Sequence, residues 1–442
     1  MQNMTEGNVT KRMVSFAIPL LFGNVLQQLY SAAAAVIVGK FAGKIALAAV
    51  GTAAPIMNIL LFLMVGITMG SSILMSEFFG ASEHEKVKQE EVTSILSGLI
   101  FTIALSVAAI FLIKPLLFLI KTPDEIMPQA IAYLKIIISG LVFSFLYNIL
   151  SSSLSSIGDS TTPLFFLFIS SILNIGLSIV IVRDFGLGVC GAAYATVISQ
   201  AVSAVLCMGY IYWKVPILRF QVRDLKINFP LLAQTVGYST VSAIQQTFLY
   251  VGIFILQGAV NPLGVNAIAA YNAVTRIDGF ILAPTDSLAL ALTTFVSQNR
   301  GAKKIERIRH GMKSSVVIGL SYCILLAIFV FFSAQTLMTF FLNSGEVNAI
   351  EVGVKYLKVM AVFYILPAFC NSFQGFFRGL GRMDITLYAT IVQIPVRVIL
   401  AYMLIAHFGL SAVAIGVTLG WICMIGYEAH QYHQYLLSEG SM

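Results

Sequence analysis

The sequence predicts an all-α polytopic membrane protein, with twelve transmembrane helices in two six-helix lobes related by a parallel internal repeat. Three observations predict it. Of 442 residues, 58% are hydrophobic and 10% charged, and the mean hydropathy is +0.91; soluble domains carry about 25% charged residues. Apolar runs long enough to cross a bilayer, about 20 residues each, recur along the whole chain. The segment from Ala46 to Ile95 also returns, altered, from Ala267 to Val316: ALAAVG is answered by AIAAYN, and SSILMSEFFGASEHEKVK by LTTFVSQNRGAKKIERIR at a constant offset.

The first apolar run, centred near residue 26, contains Pro19 and the polar row Asn24, Gln27, Gln28 and Ser31, with Ala34 one turn past Ser31. The second, near 63, carries Gly66 and Gly70, a spacing that lets helices approach closely in lipid. Runs near 103, 142, 172 and 200 complete the first lobe; the fourth holds Tyr147 and Asn148, the fifth Asn174 and Ser178. Charge density rises from Trp213 to Phe229, so this stretch is read as a linker between lobes 1–222 and 223–442. The seventh run, near 246, repeats the polar theme with Gln245, Gln246 and Tyr250. The eighth, near 285, holds Asn272, Arg276, Asp278, Pro284 and Asp286. Runs near 325, 365, 395 and 422 follow; the tenth carries Asn371 and Gln374, the eleventh Gln393 and Arg397. Backbone groups inside a bilayer must pair internally, so these runs are helices, and the alternation of a membrane β-barrel is missing. Six is an even number, so both lobes enter the membrane from the same side.

The formal charge of +7 follows topology and does not indicate nucleic acid. Basic residues concentrate in the N-terminal tail, the linker and the loops after the second, eighth and tenth runs, which places both termini in the cytoplasm. The first apolar run is too long for a signal peptide. The five cysteines are scattered and lack a CxxC pair, against a disulfide framework or a metal site. No HExxH, GxSxG or phosphate-binding glycine loop suggests an enzyme or a cofactor.

Interior prolines remove a hydrogen bond and kink a helix. Pro19 and Pro284 are therefore either tolerated irregularities or hinges; Pro284 is the stronger hinge position because Thr285 and Asp286 follow it. The polar residues of the first, fourth and fifth runs are read as a first-lobe cavity, and Gln245, Gln246, Tyr250, Asn272, Asn371, Gln374 and Gln393 as its second-lobe counterpart. Any one of them also fits an interhelical hydrogen bond of about 0.6 to 2 kcal/mol. Charge inside the bilayer is more telling, since each buried charge costs on the order of 3 kcal/mol and is paired or faces a cavity. Arg276 and Asp278 are two apart and do not face each other on a helix. Asp286 lies deeper and is the strongest candidate for a titrating or cation-binding group. Arg397 is the candidate partner for a carboxylate across the cleft.

The stretches LLFGNVLQQLY and VIVGKF, ALAAVG, SSLSSIGDSTTPL, VTRID with LTTFVSQNRGA, and FFRGLGRMDITL occur in an order that resembles bacterial MATE (multidrug and toxic compound extrusion) transporters of the MOP flippase superfamily. The resemblance spans nearly the whole chain. It implies the two-lobed MATE fold and export of amphipathic, often cationic compounds by alternating access, in antiport with H+ or Na+ and with no other cofactor. The expected setting is a monomer in the lipid bilayer of the plasma (inner) membrane. Relatives commonly carry an aspartate in a first-helix stretch resembling YNxxDxxxVG. Here that stretch reads YSAAAAVIVG, with Ala34 in the aspartate's place, and Ser178 stands where many have an acid in the fifth helix. Coupling then runs through Asp278 or Asp286 with Arg276 and Arg397 nearby, or the chain is a substituted form, or coupled efflux is lost. The alternatives are a lipid-linked saccharide flippase and a non-transporting membrane sensor or scaffold.

Overall fold

The computed structural model describes residues 3–342 and 345–440. Its first repeat contains α1 (Val9–Phe41), α2 (Gly43–Gly80), α3 (His84–Leu119), α4 (Met127–Ser139), α5 (Leu141–Ser156), α6 (Thr161–Ser178) with a π-helical turn at Ile179–Asp184, and α7 (Gly188–Lys214). The second contains α8 (Phe229–Val260), α9 (Val265–Gly301), α10 (Ile305–Phe341), α11 (Val347–Phe363), α12 (Leu366–Gly379), α13 (Met383–Phe408) and α14 (Ser411–Gly440). Ten helices are long and apolar enough to cross a membrane, and counting the bent pairs α4–α5 (44°) and α11–α12 (58°) as one span each gives the twelve expected.

The bends do not coincide with the interior prolines. Pro19 and Pro284 lie inside the unbroken helices α1 and α9, whereas Pro367 stands in the first turn of α12, where its missing N–H costs nothing. The α4–α5 bend is at Gly140. A Cβ there would lie 2.3 Å from Val197 on α7, so close packing demands glycine at that point.

The chain divides into two compact units. One is Ile18–Ala243; the other joins Met4–Ala17 to Ile244 and all that follows. The equivalent helices α1 and α8 thus each change unit along their length, α1 directly before Pro19. In the first unit α2 buries Ala46, Ala49, Ala53, Ile56, Leu60 and Met64, the 3–4 spacing of one helix face. In the second, α9 buries Ala270, Val274 and Ile277 against Leu326, Met360 and Val413.

The Gly66–Gly70 pair seats α2 against the start of α8. A Cβ on Gly66 would lie 2.9 Å from the Ala243 backbone, and one on Gly70 2.4 Å from Ser239 Oγ and 2.9 Å from the Thr235 carbonyl. Ser239 Oγ meanwhile donates to the Ile67 carbonyl at 3.1 Å. Gly70→Val forces these backbones apart and is expected to destabilise the protein by about 1–3 kcal/mol. A lowered thermal midpoint in detergent checks this.

Candidate functional site

α12 places Asn371, Gln374 and Arg378 at i, i+3 and i+7, on one face. Glycines on an adjacent face fix where that face points. A Cβ on Gly375 would lie 2.5 Å from the Ala289 carbonyl, and one on Gly379 2.8 Å from that of Thr293. Thr293 Oγ1 donates to the Gly375 carbonyl at 3.2 Å, and Ser297 Oγ to that of Gly379 at 3.1 Å. α9 and α12 are therefore sealed backbone to backbone, which sets Asn371 beside Asp286.

Asp286 is exposed. Its Oδ1 accepts from Asn371 Nδ2 at 2.9 Å, and the same amide donates to Thr285 Oγ1 at 2.9 Å. The Arg378 guanidinium is close enough to attract the Asp286 carboxylate. Arg378 Nη2 donates to Gln374 Oε1 at 3.2 Å, and Gln245 Nε2 donates to that same oxygen at 2.7 Å and to Thr390 Oγ1 at 3.0 Å. Gln374 Nε2 in turn donates to Glu428 Oε1 on α14. Glu428 is fully buried and lies in the field of Arg378. Hydrogen bonds thus run within the second unit from Arg378 through Gln374 to wholly buried Glu428, and the Arg378 charge also acts on exposed Asp286. Such groups persist in an apolar interior only when paired or hydrogen-bonded.

A second cluster surrounds Asp278, which is half-buried. Tyr364 Oη donates to Asp278 Oδ1, and Arg397 lies within electrostatic reach of that carboxylate and of Tyr271. A Cβ on Gly416 of α14 would lie 2.6 Å from the Arg397 carbonyl, so glycine lets α14 press against α13 where Arg397 emerges. Arg397 does face a carboxylate, but that carboxylate belongs to its own unit.

The remaining second-lobe candidates are more scattered. Arg276 and Asn272 are exposed on α9, Gln246 and Tyr250 are half-buried on α8, and Gln393 is buried against Gly420. In the first unit, Gln27 and Ser31 are exposed, and Asn24, Gln28 and Ala34 half-buried; Ser31 Oγ donates to the Gln27 carbonyl at 2.8 Å. Tyr147 donates to the Pro163 carbonyl of α6 at 3.2 Å, and Asn148 to the Ser144 carbonyl of its own helix at 2.8 Å. Asn174 and Ser178 are buried one turn apart, with Asn174 Nδ2 donating to Thr196 Oγ1 at 3.3 Å; among the described residues Asn174 Oδ1 and Ser178 Oγ make no hydrogen bond.

Two members of the polar chain escape a reading of the sequence. Arg378 reads as part of the basic loop after the tenth run, yet it is inside α12. Glu428 reads as tail, beside Tyr427 and His430. The i, i+3, i+7 spacing from Asn371 is the signal that points to Arg378; nothing local marks Glu428 as buried.

A family model described as MatE matches residues 19–180 and 241–403. The chain is 28% identical over 402 residues to "Probable multidrug resistance protein YoeA" of Bacillus subtilis, covering 89% of this chain and 85% of that protein. It is 26% identical to "Probable multidrug resistance protein YpnP" of the same organism, covering 95% and 94%. The fold matches the crystal structure of MATE in complex with MaL6 with a TM-score of 0.93 at 22% identity, covering 100% of this chain and 99% of that one. With both repeats matched and nearly the whole length shared, the chain belongs to the MatE family of multi-span membrane transporters.

Proposed function

We propose that the protein exports amphipathic, often cationic small molecules by rocking lobes 1–222 and 223–442, and that H+ or Na+ couples to this motion through Asp286 of the second lobe. The observation that carries the reading is the exposed Asp286 carboxylate, held by Asn371 and acted on by the charge of Arg378, whose own hydrogen bonds lead through Gln374 to buried Glu428. Where relatives keep first-lobe acids, this chain has Ala34 and Ser178, which neither titrate nor carry charge. The names of the relatives, multidrug resistance proteins, support the substrate class.

A coupling ion drives transport only by binding one conformation more tightly than the other. Ionised Asp286 accepts the Asn371 hydrogen bond and attracts Arg378; binding H+ or Na+ weakens that attraction and so alters how firmly α9 and α12 hold together at this point. Asp278, with Tyr364 and Arg397, is the secondary coupling candidate. The protein works as a monomer in the plasma (inner) membrane, both termini cytoplasmic.

Uptake of a fluorescent organic cation into reconstituted vesicles tests this. An imposed proton or sodium gradient is expected to drive uptake above protein-free vesicles without restoring any first-lobe acid. Uptake that appears only in Ala34→Asp plus Ser178→Asp places coupling in the first lobe and refutes the reading. No uptake in either protein favours a sensor or scaffold.

A further inference from the structure

Glu90 and Glu91, near the start of α3, are both fully buried. Among the described residues no basic side chain forms an ion pair with either; Lys88, close in sequence, reaches Glu85 at 3.0 Å and Asp224 at 3.8 Å instead. Among the described residues, the side chains that bond to or face Glu90 carry hydroxyls. Its Oε1 accepts from Ser94 Oγ at 2.8 Å and from Thr235 Oγ1 at 2.6 Å, while Oε2 has no partner. Ser71 Oγ on α2 faces the same carboxyl. It is 0% exposed and, among the described residues, has no hydrogen-bond partner within 3.5 Å.

These side chains come from α2, α3 and α8, all within the first unit, and the glycine contact between α2 and α8 keeps them close. A lone buried carboxylate among neutral groups costs several kcal/mol without a counter-charge. Every donor is a hard oxygen, the set preferred by alkali and alkaline-earth cations over thiolate-seeking metals. A single carboxylate balances a single positive charge. Glu91 does not add a second, because adjacent residues point about 100° apart around a helix, and Glu91 faces Ser153 on α5.

We infer that Glu90, Ser71, Ser94 and Thr235 form a binding site for a monovalent hard cation, sodium, which ties the start of α8 to α2 and α3. The residues of this site belong to the first compact unit and Asp286 to the second.

Sodium titration of the full-length protein in detergent, with choline as the background cation, followed by sodium NMR and calorimetry, tests the assignment. One saturable site should be lost in Glu90→Gln and weakened on the order of tenfold in Ser71→Ala. Glu91→Gln and Asp286→Asn should keep it. Unchanged sodium binding in Glu90→Gln overturns the assignment, as does equal loss in Glu91→Gln. A carboxylic-acid infrared band that disappears in Glu90→Gln but persists in the wild type at saturating sodium also overturns it, because the carboxyl then holds a proton instead. Should Glu90→Gln fail to fold, unchanged affinity in both Ser71→Ala and Thr235→Val overturns it equally.

Discussion

Asp286→Asn is expected to cut gradient-driven uptake about tenfold or more, while exchange of substrate down its own gradient continues. The change is nearly isosteric, and the new amide oxygen still accepts from Asn371 Nδ2, which now sits 2.9 Å from Asp286 Oδ1. What disappears is the charge that attracts Arg378 and binds the coupling ion. Without it the ion no longer distinguishes the two conformations, and a ligand with equal affinity for both shifts neither. Tenfold corresponds to about 1.4 kcal/mol of lost differential binding, a modest demand for one carboxylate. Initial rates with and without the gradient check the split; equal loss of driven uptake and exchange indicates damage to substrate binding or fold.

The second large effect concerns stability. Arg378→Leu removes the cation facing buried Glu428 and the donor to Gln374 Oε1 at 3.2 Å. Deleting one member of a directly paired buried charge pair costs about 3–5 kcal/mol; Arg378 is half-buried and acts on Glu428 through its field, so a smaller loss of about 1–3 kcal/mol is expected. Glu428→Gln leaves a neutral group that still hydrogen-bonds Gln374. The double variant Arg378→Leu with Glu428→Gln should therefore be more stable than Arg378→Leu alone, since residues sharing one network are not additive. Thermal midpoints of the four proteins check this. Strict additivity shows that the two charges do not interact.

The sequence carries much of this architecture because membrane burial writes a strong pattern. The twelve spans follow from apolar runs, and the Gly66–Gly70 contact from spacing alone. Asp286 stands out because a carboxylate in an apolar run is costly. The bends at Gly140 and between α11 and α12 are less legible, since they depend on what packs alongside, such as Val197 against Gly140. Glu428 and Glu90 each sit in a polar neighbourhood of the sequence that reads as solvated; only helices distant in the chain, α12 for Glu428 and α2 and α8 for Glu90, bury them. Asp278 and Arg397 are both visible as intramembrane charges of lobe 223–442, but which carboxylate Arg397 meets is a matter of tertiary structure.

The central claim is that coupling resides in the second lobe at Asp286. Its most direct test is the coupling-ion flux that accompanies substrate uptake in vesicles, recorded by proton- and sodium-sensitive dyes for the wild type and Asp286→Asn. The account predicts that substrate drives counterflow of one of the two ions in the wild type and none above background in Asp286→Asn. Undiminished ion counterflow in Asp286→Asn would contradict it.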